Sequence, residues 1–211
     1  MTTQTSTSAW ALALLRSNSP YGQALEDHCR RLHGFATNLA AQDGVVLDDD
    51  LLLAACFLHD IGLCVRDSSS RDYIERGLDF VEARLADSGL GLTAQQEESL
   101  VELMRTNHSL LPLRGLSPQA EMLRRAVQVE HSLGFISFGL PAEARAEVFS
   151  RFPRANFNQV LLGFFRTALV DDDPRALLHV FLPGGWAQLR AAFTAGHSSH
   201  AASTRNLWKS S

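Results

Sequence analysis

The chain has 211 residues, 45% of them hydrophobic and 20% charged, with a formal net charge of −4. That balance fits one large folded domain and excludes both a disordered chain and a membrane-embedded one. No apolar run approaches a bilayer-spanning length, and the acidic balance argues against a nucleic-acid polymer as partner.

Residues 1–8 are polar and read as a flexible N-terminus, 9–195 as a single helical domain and 196–211 as a polar tail. MTTQTSTSAW lacks the basic region and apolar core of a signal peptide. A short helix is expected over Ala9–Leu15, followed by turn chemistry at Asn18–Ser19–Pro20. From Gly22 to about Gln42 the apolar residues Leu25, Cys29, Leu32, Phe35, Ala36 and Leu39 fall at helical spacing, with His28 on or beside that stripe. Asp48–Asp50 open the next helix, where acidic groups suit the N-terminal dipole and one can cap. This helix is LLLAACFLHDIGL, with Gly62 as its expected stop.

Ser68–Ser70 reads as a loop and Asp72–Ala86 as an amphipathic helix carrying Tyr73, Phe80, Val81 and Leu85. Thr93 and Gln96 form a capping-box pattern ahead of a helix that reaches His108. Ser117–Pro118 marks another start, with Ser as cap and Pro at the first helical position. Its stripe is Met122, Ala126, Glu130, Leu133, so a carboxylate stands where an apolar residue is expected. Pro141 and Pro174 read as later helix starts, Asn156–Leu169 as a helix between them, and Trp186–Phe193 as the last helix. No hairpin signal, sustained alternation or internal repeat interrupts this pattern, and the fold class is all-α with short connections.

Several chemistries are excluded by what is missing. The only lysine is Lys209, so there is no GxxxxGKS/T phosphate loop and no internal Schiff-base lysine. GxGxxG and GxSxG are also absent. Cys29, Cys56 and Cys64 are an odd number without CxxC spacing, which fits reduced thiols in a cytoplasmic protein.

What remains is a constellation on interior helices. His59 and Asp60 end the most apolar helix, where an ionisable pair is costly to bury without a partner. A divalent metal accepts a neutral imidazole nitrogen and a carboxylate oxygen together. His28 and Glu130, on faces otherwise made of apolar residues, are the further metal candidates. This mixed nitrogen and oxygen set suits one divalent ion such as Zn, Fe, Mn, Co or Ni. Neighbouring helical positions point about 100° apart. His59 and Asp60 therefore share an ion only if it sits between their directions or the helix loosens near Gly62.

Each residue also has a plainer role open to it. His59–Asp60 can be a hydrogen-bonded helix end, His28 a satisfied core histidine, and Glu130 an ion-pair partner of Arg31 or Arg125. Arg31, one turn from His28, can bind an anionic substrate or a buried acid. His108 at a helix C-terminus can serve the dipole or act as an acid–base group. His131 is expected to point elsewhere and be structural. His33, His179, His197 and His200 are expected to be solvated, and Phe152, Phe157, Phe164 and Phe165 to be core.

At HCRRLHGFATNLA and ACFLHDIGL the chain resembles the HD-domain superfamily of metal-dependent phosphohydrolases, whose pattern is a His, a His–Asp doublet and a distant Asp. His28, with Arg31 and Phe35, matches the first helix, and His59–Asp60 matches the doublet. The form LHDIGL, with an NHS segment at His108, is more similar to the cyanamide-hydratase-like branch. AVQVEHSLG departs from the family, with Val127 and Glu130 at the aligned acidic positions; Leu63 replaces the Lys that often follows the doublet.

The resemblance implies a metal-activated water acting on a small-molecule substrate, with Asp60 ligating and orienting it, His108 as acid–base group and Arg31 at the substrate. Hydrolysis of a phosphoester such as a nucleotide leads. Addition of water to a carbon–nitrogen multiple bond and a non-catalytic scaffold that binds a ligand or partner are the alternatives. The apolar fraction leaves room for a homo-oligomer.

Overall fold

The computed structural model describes residues 6–65, 72–171 and 181. Its helices are α1 (Thr7–Asn18), α2 (Gly22–Asp43), α3 (Asp49–Leu58), α4 (Ile61–Cys64), α5 (Tyr73–Leu85), α6 (Ala94–Thr106), α7 (Pro118–His131), α8 (Ala142–Arg151) and α9 (Phe157–Asp171). No strand occurs among the described residues, so the chain is all-α as its periodicity predicts. No helix among them is long and apolar enough to cross a membrane. The expected loop at Ser68–Ser70, the start at Pro174, the helix over Trp186–Phe193 and the tail from 196 lie outside the described residues.

The architecture is organised around α3. Leu51, Leu52, Ala54, Ala55, Cys56, Phe57 and Leu58 are all buried, so this helix is apolar on nearly every side. A helix without a polar face has to be enclosed, and α1, α2 and α6 pack around it. Asp48 caps it, its side chain accepting from the Leu51 N–H. Asp50 reaches the other way. One of its oxygens accepts from the Thr7 N–H at 2.8 Å and the other from the Ser8 N–H at 3.2 Å, and Ser8 Oγ also bonds it. Those contacts start α1 at Thr7, two residues before the expected Ala9, and tie its first turn to α3.

The longest helix, α2, carries the predicted stripe. Leu25, Cys29, Leu32, Phe35, Ala36 and Leu39 are buried, and so are His28 and Arg31. It ends at Gly44, whose φ of 67° is a left-handed conformation that glycine adopts without strain. Helix α7 packs along α2. It starts as the sequence predicts, with the Ser117 hydroxyl accepting from the Ala120 N–H and Pro118 in the first turn. The capping box of Thr93 and Gln96 at α6 is present in both directions.

Two expectations about helix ends need correction. Gly62 does not stop α3. That helix ends at Leu58, the backbone of Asp60 takes φ −109° and ψ 11°, and Gly62 lies inside the short α4. Leu133, the last member of the α7 stripe, is past the end of the helix, has a φ of 57° and is 54% exposed.

Gly62 serves close packing instead. A Cβ there would lie 1.8 Å from the Tyr73 carbonyl oxygen and 2.7 Å from the Gly77 nitrogen, both backbone atoms of α5. Glycine thus lets α4 sit against α5 directly after Asp60. Gly62→Ala is expected to destabilise the fold by about 3 kcal/mol, the upper range for overpacking. Denaturant melts check this; a variant as stable as wild type would mean that α4 and α5 are not held this close.

Candidate metal centre

The break at Asp60 builds the site. His59 is the C-cap of α3 and keeps helical dihedrals, whereas Asp60 sits in the sparsely populated region between helix and strand. That change of direction lets the adjacent side chains converge. Asp60 Oδ2 lies 3.0 Å from His59 Nε2 and 3.9 Å from His28 Nε2. The two Nε2 atoms are 3.3 Å apart. His28, His59 and Asp60 are all buried, and one donor atom of each falls within 4.8 Å of the other two.

Proton accounting shows what this cluster lacks. His59 Nδ1 is 2.8 Å from the Cys56 carbonyl oxygen, which only accepts, so Nδ1 carries the proton. A neutral His59 then presents a lone pair at Nε2. The atom nearest to His28 Nδ1 among its acidic neighbours is Glu130 Oε1, at 3.3 Å. Nδ1 makes no hydrogen bond among the described residues; with its proton there, the tautomer favoured by a nearby carboxylate, His28 would leave a lone pair at Nε2 as well. Two imidazole lone pairs and a carboxylate oxygen therefore face one point. They need either an extra proton or a cation, and the donor set of two borderline nitrogens and one hard oxygen fits a divalent ion.

The electrostatics agree with that crowding. Burial drives the His28 imidazole down, and the opposing pull of Glu130 does not restore it, so the ring stays neutral. Burial also penalises the His59 imidazolium, but the carboxylate of Asp60 beside it outweighs this and raises its pKa. Burial alone would raise Asp60; His59 and His108 hold its carboxyl well below the usual carboxylate range.

His108 follows α6, which ends at Thr106 rather than reaching it. Its Nε2 is 3.1 Å from Asp60 Oδ1, the oxygen not facing the two histidines. Its Nδ1 is buried and has no hydrogen-bond partner among the described residues. The imidazole thus contacts the cluster through one nitrogen and offers the other.

Glu130 stands on the far side of His28. Its Oε1 accepts from Arg31 Nε at 3.0 Å, Arg31 Nη2 at 2.8 Å and Arg154 Nη1 at 2.7 Å. Arg31 is itself fully buried, and its Nη1 donates to the Phe152 and Pro153 carbonyls. Arg125, the other partner considered for Glu130, pairs with Glu121 and Asp43. Burial would raise the Glu130 carboxyl, but His28, His131 and Arg31 hold it well below the ordinary glutamate range. Oε2 is buried and makes no hydrogen bond among the described residues.

Some neighbours were not foreseen. Phe157, expected only as core, stacks on His28 with centroids 4.1 Å apart and planes at 14°. The guanidinium groups of Arg31 and Arg154 lie 5.2 Å from the same ring. Arg154 comes from a turn in which Ala155 takes a φ of 38°, and nothing in its sequence context signals an ion pair 24 residues back. His131, expected to point away, faces the site instead, its ring 5.7 Å from His28 and 5.8 Å from His108.

The HD-domain family model matches residues 25–133, more than half of the chain, and the match contains every residue of the cluster from His28 to His131. The chain belongs to the HD-domain family, whose members are generally metal-dependent hydrolases. No curated protein and no solved structure matches it.

Removing one member of the buried Glu130–Arg31 pair leaves the other charge uncompensated. Glu130→Gln is therefore expected to lose about 3–5 kcal/mol. The depressed pKa gives a pH signature. Stability from Glu130 is present above the unfolded glutamate pKa of about 4.3 and is lost as pH falls toward the lower folded value. The stability of wild type should thus fall more steeply with acid below that pH than that of Glu130→Gln. Parallel slopes in denaturant titrations would contradict the assignment.

Proposed function

We propose that this HD-family chain is a metal-dependent hydrolase of a small polar substrate, with a phosphoester such as a nucleotide as the leading class. The observation that carries the proposal is the convergence of His28 Nε2, His59 Nε2 and Asp60 Oδ2 on one point. These residues would hold the ion. When bound, a divalent ion there acts as a Lewis acid and lowers the pKa of a coordinated water toward neutrality.

The chain's own residues divide the remaining work. Asp60 bridges the two halves of the site, with Oδ2 toward the histidines and Oδ1 toward His108. This fixes the His108 ring, so that its unpartnered Nδ1 can take or give a proton at the substrate. Glu130 is a positioning residue: from behind His28 it favours the Nδ1–H tautomer and steadies the ring, as acids beside metal-binding histidines do. Arg31 holds Glu130 in place, and Phe157 fixes the plane of His28.

A second reading, addition of water to a carbon–nitrogen multiple bond, draws support from Arg31. Its guanidinium is engaged by Glu130 and two carbonyls, and a neutral substrate requires no cation there. The non-catalytic scaffold is the remaining outcome of the test.

Metal-loaded protein should release phosphate from a panel of phosphomonoesters. His108→Gln should keep its metal and lose turnover by roughly 10²–10⁴-fold, the range for a general acid–base group. Conversion of cyanamide to urea without phosphate release would select the hydration reading. Metal-loaded protein inert toward both classes would refute catalysis by this route.

A further inference from the structure

Aromatic and imidazole rings enclose His108, the acid–base residue of the proposed hydrolase. His59 and Tyr73 are buried; the Tyr73 ring meets His108 edge-on at a centroid distance of 6.0 Å. His131 stacks on His108 at 5.8 Å, and its side chain is 31% exposed. Phe181 meets it edge-on at 6.0 Å, with planes at 74°, and is half-buried. Among the described rings that touch His108, then, His131 and Phe181 are the two that reach solvent.

The position of Phe181 is fixed through the backbone. Its carbonyl accepts the Leu110 N–H at 3.0 Å, two residues past His108. The carbonyls of the same segment are held by α7. Arg124 Nη1 and Gln128 Nε2 donate to the Ser109 carbonyl at 3.2 and 3.1 Å, and Gln128 Nε2 also donates to the Leu110 carbonyl at 3.1 Å. Arg124 is itself buried. The segment that follows His108 is thus clamped between α7 and Phe181. Residue 181 lies well past residue 133, where the match to the HD family ends, so this ring comes from outside the family's core.

We propose that Phe181 is a specificity-determining residue, an apolar wall beside His108 that selects phosphoesters whose leaving group carries a flat apolar body. This rests on the hydrolase reading above. A phosphomonoester and water give an alcohol and inorganic phosphate: the P–O bond to the leaving group breaks and the water oxygen bonds phosphorus. The leaving oxygen gains a proton from His108, and the proton that water loses restores it. The body of the leaving group therefore lies beside His108, where Phe181 stands. A flat ring there packs offset or edge-to-face on the phenyl group. A small polar leaving group would give up water at the same place without a hydrogen bond from Phe181 in return. Arg31 and Arg124 are committed to Glu130, to Glu121 and to backbone carbonyls, which leaves the wall's selectivity to shape and apolar contact.

The test uses metal-loaded full-length protein with benzyl phosphate and ethyl phosphate, whose leaving alcohols have similar acidity. Benzylphosphonate and ethylphosphonate serve as inert binding probes in calorimetry, and thermal melts confirm that each variant folds. Wild type should favour the benzyl member of each pair by roughly threefold to tenfold, in kcat/KM and in Kd. Phe181→Ala should level both preferences, and Phe181→Tyr, which keeps the ring, should retain them. Should Phe181→Ala fail to fold, Phe181→Leu, which keeps apolar bulk without the ring, should show the same levelling. Phosphate release from both esters with no benzyl preference in wild type, or with a preference unchanged in the ring-less variants, would overturn the wall assignment and leave the hydrolase reading standing. Wild type that hydrolyses neither ester and binds neither phosphonate would overturn the hydrolase reading and this inference with it.

Discussion

The structure turns on three buried polar atoms brought to one point. Burial brings two imidazole nitrogens and a carboxylate oxygen to one point, with the opposite side of His59 committed to a carbonyl that can only accept. In water each lone pair would find its own donor. In the interior the three need an extra proton or a cation, and an unpaired buried polar group costs on the order of 1–3 kcal/mol, more if charged. A divalent cation would complete the set at a single stroke.

The remaining architecture holds that point in place. The enclosed helix α3 delivers His59 from the centre of the core, and the backbone turn at Asp60 redirects the next side chain toward it. Gly62 then allows α4 to rest on α5, which fixes the turn. From the other side, α2 brings His28, and α7 brings Glu130 behind it. The Glu130–Arg31–Arg154 cluster puts two cations on one carboxylate in a dry setting. Such a cluster contributes little net stability, because desolvation offsets the attraction. Its value is positional: it holds a carboxylate 3.3 Å from Nδ1 of His28.

Much of this was legible in the sequence. The apolar stripe of α2, the capping box at Thr93 and the Ser117–Pro118 start are local patterns, and each appears where the sequence places it. The fold class and the family follow from the same signals. The convergence of His59 and Asp60 was posed as a geometric problem with two solutions. The chain adopts a variant of the second, in which the helix breaks at Asp60 rather than loosening at Gly62.

What was not legible is tertiary. Arg154 reaches Glu130 from a turn, Phe157 stacks on His28 from α9, and His131, the last residue of α7, lies beside His28 and His108. None of these has a periodicity or a motif. Each depends on where distant elements dock, and helical spacing alone says nothing about that. The case of Arg31 is intermediate: its place on the stripe was visible, but whether it met a substrate or Glu130 required the position of α7.

The most direct measurement is the metal content of untagged protein by elemental mass spectrometry, beside a His59→Ala/Asp60→Ala double variant. Near-stoichiometric divalent metal in wild type that vanishes in the double variant is the predicted result. Wild type that carries no metal and takes up none of Zn, Mn, Fe, Co or Ni would contradict the account, because the three converging donors would then be satisfied by protons alone.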